Sequence, residues 1–428
     1  MPQTTSIGVV ICNYNKSQYV VNCIQSVLES DINDYTIYVV DNASTDDSVV
    51  QIEKKFKDRV LLLQNEENLG GSGGFNRGLR EALAKGHPYI MCLDNDVLVD
   101  EAAISTLFFY MQEHPEVGML GSRVYHMEEP DYVQQFGLNI DFDNYIVETL
   151  YADVYEDGTI PVIVNCDTVA TCSVMVRAEA IRKVGLMPED NFIYWDDMEW
   201  GYLIGKAGYR VAACGDSKVL HTKGAGNRNN AVFTNYYNVR NRIHFFMKFI
   251  KDEQLQDFAS QMLDSVFDSM YERMYRDEHC CAQAIRYGLE DAMHGVRGKA
   301  DGYKLRQGDE LYDGLARVLQ GKKRYCLEVG EYIQLADSIR EYIHTNHPEL
   351  EETDRQSGEA TIVLCDYIIN VKDFSLEKVY VDEYMNVFST GEEAELITGY
   401  GFSKALFLYM NQELFVEQMK KLRRKYVV

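Results

Sequence analysis

Residues 6–30 read SIGVVICNYNKSQYVVNCIQSVLES, and the reading of this stretch decides the fold. A short apolar run, SIGVVIC, passes through a polar turn into SQYVVNCIQSVLES, whose spacing is that of an amphipathic helix. The same unit recurs three times. TIYVVD leads through NASTDDS into VVQIEKKF, RVLLLQ through NEENLGGSGG into FNRGLREALAKG, and PYIMCLD through NDVLVD into EAAISTLFFYMQEH. Buried β-rich runs alternating with amphipathic helices predict an α/β fold with a parallel, doubly wound sheet. In such sheets ligands bind where the carboxyl ends of the strands open into loops. Those loops hold Asn13, Asp41, Asn42, Asn68, Asp94 and Asp96.

After about residue 120 the pattern changes. YVQQFGLNIDFDNYIVETLY alternates loosely and suggests antiparallel strands, TVATCSVMVR reads as a strand, and AEAIRKVG as a short helix ended by Gly185. RVAACGDSKVLH reads as a closing strand or strand pair. From about residue 252 the segments are mostly long and helical, as in LQDFASQMLDSVFDSMYERMY and RYCLEVGEYIQLADSIREYIH. The polar stretch TNHPELEETDRQSGE reads as a linker, and ATIVLCDYIINV and EKVYVDEYMNVF beyond it as strands. The expected organisation is a domain over residues 1–251 and a mainly helical C-terminal domain over 252–428.

The 428 residues are 46% hydrophobic, an ordinary globular composition. A net charge of −25 argues against nucleic acid as a partner, because phosphate backbones demand basic surface. None of the ten cysteines forms a C-x-x-C pair, so a zinc ribbon or redox motif has no support. With no secretory signal at the start, a reducing cytoplasm is the expected compartment. No apolar stretch approaches the roughly 18 residues of a spanning helix.

Four groups of residues could carry chemistry. In GGSGGFNRG, a dinucleotide fingerprint begun at Gly71 would need glycine where the chain has Asn76. Close backbone approach to a ligand at a helix start is the better reading, against a plain glycine-rich turn. CLDNDV puts Asp94 and Asp96 on one side of an extended chain end, and two ionised carboxylates sharing a small volume need a cation or a proton. Mg²⁺ or Mn²⁺ on a diphosphate meets that need with hard oxygen ligands. His221, after a strand and before a glycine-rich loop, is acceptable to Mn²⁺, although a lone histidine is more often a surface or capped residue. NFIYWDDMEWGYLI sets Asp196, Asp197 and Glu199 between Tyr194, Trp195 and Trp200, where a helix cap explains one acid but not three. Arg240 and Arg242 lie among aromatics, and KKLRRK lies near the end. Both read as snorkelling or helix-terminal charge, or as contacts to a diphosphate or lipid surface.

Taken together, VVICNYNK, VVDNASTDDS, NEENLGGSGGFNRG, LDND and WDDME resemble family 2 glycosyltransferases with the GT-A fold, over about residues 6 to 250. The GGSGGF and WDD variants look most like bacterial galactofuranosyltransferases and related rhamnosyltransferases. The resemblance implies a GT-A-type mixed sheet, with Asn13 and Asp41 at the nucleotide base and ribose, and Asn68 and Gly71 beside the nucleotide. It implies that Asp94 and Asp96 hold Mn²⁺ or Mg²⁺ and that His221 completes the shell. Asp197 would be the catalytic base, with Asp196 standing where many relatives have Glu. Asn42, Asn76, Trp195, Glu199 and Trp200 complete the expected binding set, the two tryptophans as platforms for sugars.

The expectation is an inverting, metal-dependent transferase using a nucleotide-diphosphate sugar, with galactofuranose or rhamnose as the sugar. Its acceptor would be a lipid-linked glycan of cell-surface polysaccharide or cell-wall synthesis. It would act in the cytoplasm at the inner membrane face, through peripheral contact. A nucleotidyltransferase also uses an α/β sheet and paired carboxylates, but needs no acidic base among aromatics. A non-catalytic sugar-nucleotide sensor need not keep both acidic sites. Packing, homo-oligomerisation and acceptor docking all stay open for the C-terminal part.

Overall fold

The computed structural model describes residues 6–222, 231–275, 278–306, 314–354, 358–366, 371, 374–375, 377–382, 387–388 and 391–425. The glycine-rich loop expected after His221 lies outside them. No helix among them is long and apolar enough to cross a membrane. The chain divides into two compact units, Met1–Asp252 with Asp291–Asp301, and Glu253–Glu290 with Gly302–Val428.

The first unit carries strands β1 (Ile7–Asn13), β2 (Tyr35–Asp41), β3 (Leu61–Gln64), β4 (Tyr89–Asp94), β5 (Val97–Val99) and β6 (Val117–His126). β7 (Tyr132–Gln135), β8 (Leu138–Asp141), β9 (Ile146–Thr149), β10 (Val154–Tyr155), β11 (Ile163–Asn165), β12 (Ser173–Arg177) and β13 (Arg210–His221) follow. Its helices are α1 (Ser17–Leu28), α2 (Ser48–Phe56), α3 (Gly70–Lys85), α4 (Ala103–Glu113), α5 (Ala178–Val184), α6 (Asp196–Lys206) and α7 (Ala231–Phe249).

β1 pairs in parallel with β2 and β4, and β2 with β3, so the first four strands lie in the order 3-2-1-4. Crossovers reverse direction between β1 and β4, the place where an open α/β sheet makes a crevice. The register sets Cys12 beside Asp94 there. β12 then enters antiparallel between β4 and β6, which makes the sheet mixed. β13 runs parallel to β6 and reaches β5 with its last residues, His221 pairing with Val97. Alternation along β1 sends Val9 and Ile11 to a core with α1, α2 and α4, and Val10 to a core with α3, α5 and α6.

The glycine-rich stretch lies inside α3 rather than ahead of it. A Cβ on Gly74 would fall 2.3 Å from the Cys12 sulfur, and one on Gly78 2.3 Å from Val10. These glycines let α3 press onto β1, a packing role that the sequence reading gave to a ligand.

In the second unit are α8 (Leu255–Tyr275), α9 (His279–His294, whose last residues belong to the first unit), α10 (Gly314–Leu319), α11 (Ile333–Asn346) and α12 (Gly391–Arg423). They accompany β14 (Arg324–Glu328), β15 (Glu351–Glu352), β16 (Ala360–Cys365), β17 (Val379–Asp382) and β18 (Val387–Phe388), ordered β15-β14-β16-β17-β18. RYCLEVGEYIQLADSIREYIH is therefore a strand and a helix, not one helix. Tyr325 and Cys326 are buried in the ladder with β16, and Gly330 at φ 56° turns the chain before α11.

Candidate functional site

A cavity of about 530 Å³ opens at the crevice between β1 and β4. Asn42, Asn68, Gly71, Asp94, Asp96 and His221 line it. Asp94 ends β4 and Asp96 sits in the two-residue turn to β5, so the acids converge through a turn and not by strand alternation. Antiparallel pairing of β13 with β5 delivers His221 to the same point. One ligand atom from each of the three lies within 4.8 Å of the others.

Two neighbours complete this cluster. The Lys16 ammonium is 2.6 Å from Asp96 Oδ2, and His221 Nε2 is 3.3 Å from Asp96 Oδ1. Behind the imidazole, the Gln134 amide donates to the His221 carbonyl oxygen at 3.2 Å and offers Oε1 to Nδ1 at 2.7 Å. Because Oε1 only accepts, Nδ1 must carry a hydrogen, which leaves Nε2 of a neutral ring with a bare lone pair. That lone pair then faces a carboxylate oxygen, an arrangement that is stable only with a proton or a cation between them. The donor set of carboxylates plus imidazole suits Mn²⁺ or Mg²⁺. Burial, then the charge of Asp96, raises the pKa of Asp94, as expected where cationic charge is short. At Asp96 burial opposes ionisation, but the hydrogen bonds and charges of His221 and Lys16 outweigh it and lower the pKa. Thr222 Oγ1, also on the cavity wall, is buried with no hydrogen-bond partner among the described residues.

The acidic stretch begins on a strained loop. Phe192, Tyr194 and Trp195 have φ of 68°, 61° and 67°, a region that costs a non-glycine residue about 1–3 kcal/mol each. α7 clamps it: Asn241 Nδ2 donates to the carbonyls of Asn191, Ile193 and Tyr194 at 3.0, 2.8 and 3.1 Å. Arg240 donates to Asn191 O at 3.0 Å and to Gly298 O at 2.7 Å. Gly70, at φ +76°, sits where a Cβ would fall 2.0 Å from Phe192 O. The loop thus presents Phe192, Ile193 and Tyr194 to the cavity and starts α6 at Asp196.

Asp196 is buried, with its Oδ2 3.9 Å from the position a Gly71 Cβ would take, at the cavity wall. Burial and then the charge of Asp197 raise its pKa. Burial also raises that of Asp197, which backbone N–H groups partly offset. Asp197 is half-buried, and its Oδ1 accepts from Met198 N at 2.9 Å.

Several expected binding residues do other work. Asn13 and Asp41 are buried at 0% and 2% exposure and bond each other at 3.0 Å, so they brace the wall rather than face the cavity. Asn76 is spent on Met187, donating to its carbonyl at 2.8 Å and accepting from its N–H at 3.1 Å. Trp200 is fully buried and donates Nε1–H to Gly185 O at 3.1 Å, so it cannot stack on a sugar. Glu199 is buried against Lys248 at 2.5 Å and is not free for an acceptor. Trp195 packs against Phe245, tilted at 41°, and edgewise on Phe246, with centroids 5.5 and 5.7 Å away. Arg240 is fully buried as a loop clamp, away from any diphosphate or lipid. Arg242 donates to Tyr145 O at 2.9 Å. Lys16 and Gln134 were missed, as was Tyr14, which lines the cavity. Lys16 follows the first strand as a cation beside the polar turn, a usable signal, whereas nothing local marks Gln134.

Residues 8–176 match the family model described as glycosyl transferase family 2. Galactofuranosyltransferase GlfT2 of Mycolicibacterium smegmatis is 22% identical over 264 residues, covering 56% of this chain and 41% of that protein. Glycosyltransferase GlyG of Streptococcus pneumoniae is 32% identical over 127 residues, covering 29% of this chain and 41% of that protein. The chain therefore spans about two-fifths of the length of these curated relatives. A solved structure of mannosyltransferase PcManGT from Pyrobaculum calidifontis, in complex with GDP-Man and Mn²⁺, aligns at 14% identity and a TM-score of 0.44, covering 68% of this chain and 88% of that one.

Proposed function

Because the chain carries a glycosyl transferase family 2 domain on a GT-A-type mixed sheet, we propose that it moves a sugar, with inversion, from a nucleotide-diphosphate donor to a hydroxyl of a glycan. The observation that carries this reading is the Asp94–Asp96–His221 set at the cavity, with Asp196 and Asp197 just behind its wall and near enough for their charges to act on Asp94. A divalent cation held by that set would supply charge to stabilise the leaving diphosphate. Asn68, on the cavity wall, would meet the donor, while Asn42 is buried and commits its amide to Asn68, Gly70, Asn65 and Leu69, so it braces that wall. Asp197 takes the proton of the acceptor hydroxyl. Its raised pKa suits a base, since partial desolvation makes a carboxylate more basic. Asp196 shapes the wall beside Gly71, and burial favours its protonated form next to Asp197. The strained Phe192–Trp195 run holds both acids in place before substrate arrives.

The proposed acceptor is a lipid-linked glycan of surface-polysaccharide synthesis at the cytoplasmic membrane face. The relative named as a galactofuranosyltransferase supports testing UDP-galactofuranose first and dTDP-rhamnose second. The protein is incubated with Mn²⁺, a panel of sugar nucleotides and glycan acceptors, and nucleotide release is followed. Asp197→Asn keeps the shape but cannot take the proton, so it should bind nucleotide normally and lose transfer by about a hundredfold or more. Near-native transfer by Asp197→Asn with a dead Asp196→Asn would move the base to Asp196. Release from no donor on the panel counts against a transferase.

A further inference from the structure

The loop that delivers Asp196 and Asp197 starts from Asn191, and three of the next four residues take positive φ. Backbone held in that region relaxes unless its surroundings over-determine it, so its starting point must be gripped from several sides. α7 supplies part of the grip, with Arg240 and Asn241 each donating to the Asn191 carbonyl at 3.0 Å. The rest comes from Asp291–Asp301, which rejoins the first unit from beyond α8. There Arg297 Nη2 donates to Asn191 Oδ1 at 2.6 Å and to Asp190 Oδ1 at 2.9 Å. Gly298, at a φ of 78° that suits glycine, donates its N–H to the Asp190 carbonyl at 2.6 Å. His244 of α7 steadies the segment in turn, donating Nε2–H to Val296 O at 3.2 Å.

Packing alone does not account for Arg297. Its side chain is only 11% exposed, and Nε and Nη1 are buried with no hydrogen-bond partner among the described residues. Asn191 Nδ2 is in the same condition. Unmade donors of this kind cost stability, and each asks for a reason. The guanidinium also lies near enough to Arg240 for the two like charges to oppose each other. An unbranched apolar side chain would avoid both costs but could not tie Asp190 to Asn191. We propose that Arg297 is a positioning residue for the acidic loop, fixing the point from which the strained run sets Asp196 and Asp197 behind the cavity wall. Its effect on the rate rests on the transferase reading above, whereas its hold on the loop does not. The site is then completed by residues 291–301, far outside the family match over residues 8–176.

The chain has two tryptophans. Trp200 is fully buried and Trp195 is half-buried at the end of the loop, so quenching by acrylamide reports chiefly on Trp195. In Arg297→Met quenching should rise about twofold or more as the loop opens locally. The kcat for transfer should fall about tenfold or more, because small misplacement of a reacting group slows the chemistry strongly. Mn²⁺ affinity without nucleotide should stay native, since Asp94, Asp96 and His221 lie on β4, the turn after it and β13. The melting temperature should stay near native too, because removing two unpartnered donors offsets the lost bonds. In Arg297→Ala, added guanidinium ion should restore both quenching and rate toward native, while equal sodium chloride should not. Native quenching or a native transfer rate in Arg297→Met would overturn the proposal. So would a joint loss of rate, Mn²⁺ affinity and melting temperature without rescue by guanidinium, the mark of a merely structural residue. If the native chain turns over no donor, the transferase reading falls, and quenching with its guanidinium rescue still decides the hold on the loop.

Discussion

Replacing Gln134 by leucine should cut Mn²⁺ affinity although Gln134 touches no ligand site itself. The native amide accepts from His221 Nδ1–H at 2.7 Å and holds the His221 carbonyl at 3.2 Å, so it fixes both the ring and its tautomer. Losing a neutral hydrogen bond costs about 0.5–1.5 kcal/mol. A second cost follows from geometry. With no acceptor at Nδ1, the proton is free to move to Nε2, where Asp96 Oδ1 waits at 3.3 Å to accept it in a charge-assisted bond. That tautomer has no lone pair to give a metal. The two effects together reach the roughly 10- to 100-fold loss seen when a residue supporting a metal ligand is removed, or about 1.4–2.7 kcal/mol. The assay is titration of the native chain and Gln134→Leu with Mn²⁺, following free Mn²⁺ by electron paramagnetic resonance with no nucleotide present. Gln134→Glu still accepts from Nδ1–H and should recover most of the affinity, which a merely structural role would not predict. Gln134→Leu binding within about twofold of native, while Asp94→Asn binds nothing, would remove His221 from the metal site.

Asp94→Ala and Asp96→Ala should each abolish transfer, and EDTA should do the same to the native protein, because the leaving diphosphate loses its stabilising charge; full activity in EDTA sinks the metal assignment. For Asp196 the folded-state pKa is raised to about 8 by burial and by Asp197, so the native state favours its protonated form. Stability from this group is full below its ordinary pKa and is lost as pH rises toward about 8. Asp196→Asn in denaturant titrations without metal should therefore match native near pH 4 and exceed it near pH 8; a gap independent of pH refutes this. Trp200→Ala removes a fully buried ring and should cost about 3–5 kcal/mol by the same method, while leaving Mn²⁺ affinity of the folded protein unchanged. A loss of Mn²⁺ affinity would mean that α6 holds the metal site as well as the core.

The alternation of apolar runs and amphipathic helices was enough to find β1 to β4 and to put Asp94, Asp96, Asn42 and Asn68 in the loops at their carboxyl ends, while the strand order 3-2-1-4 came only with the structure. Such periodicity is a local property, set by which side chains each strand or helix must bury. It could not tell Trp195 from Trp200, because one turn of α6 separates a half-buried ring from one sealed in the core. Nor could it pair residues far apart in the chain. Lys16 reaches Asp96 across 80 positions, and Gln134 reaches His221 across 87. The three acids of WDDME looked alike in sequence, yet Lys248 from α7 neutralises Glu199 while no such cation is drawn to Asp196 or Asp197 among the described ion pairs. Packing α7 against the loop also turned Arg240 from a candidate ligand contact into the clamp of a strained backbone. Each of these outcomes depends on which elements meet once the sheet has closed. The local pattern therefore carried the strands and their acidic ends, and tertiary packing alone decided which polar groups stay free to act.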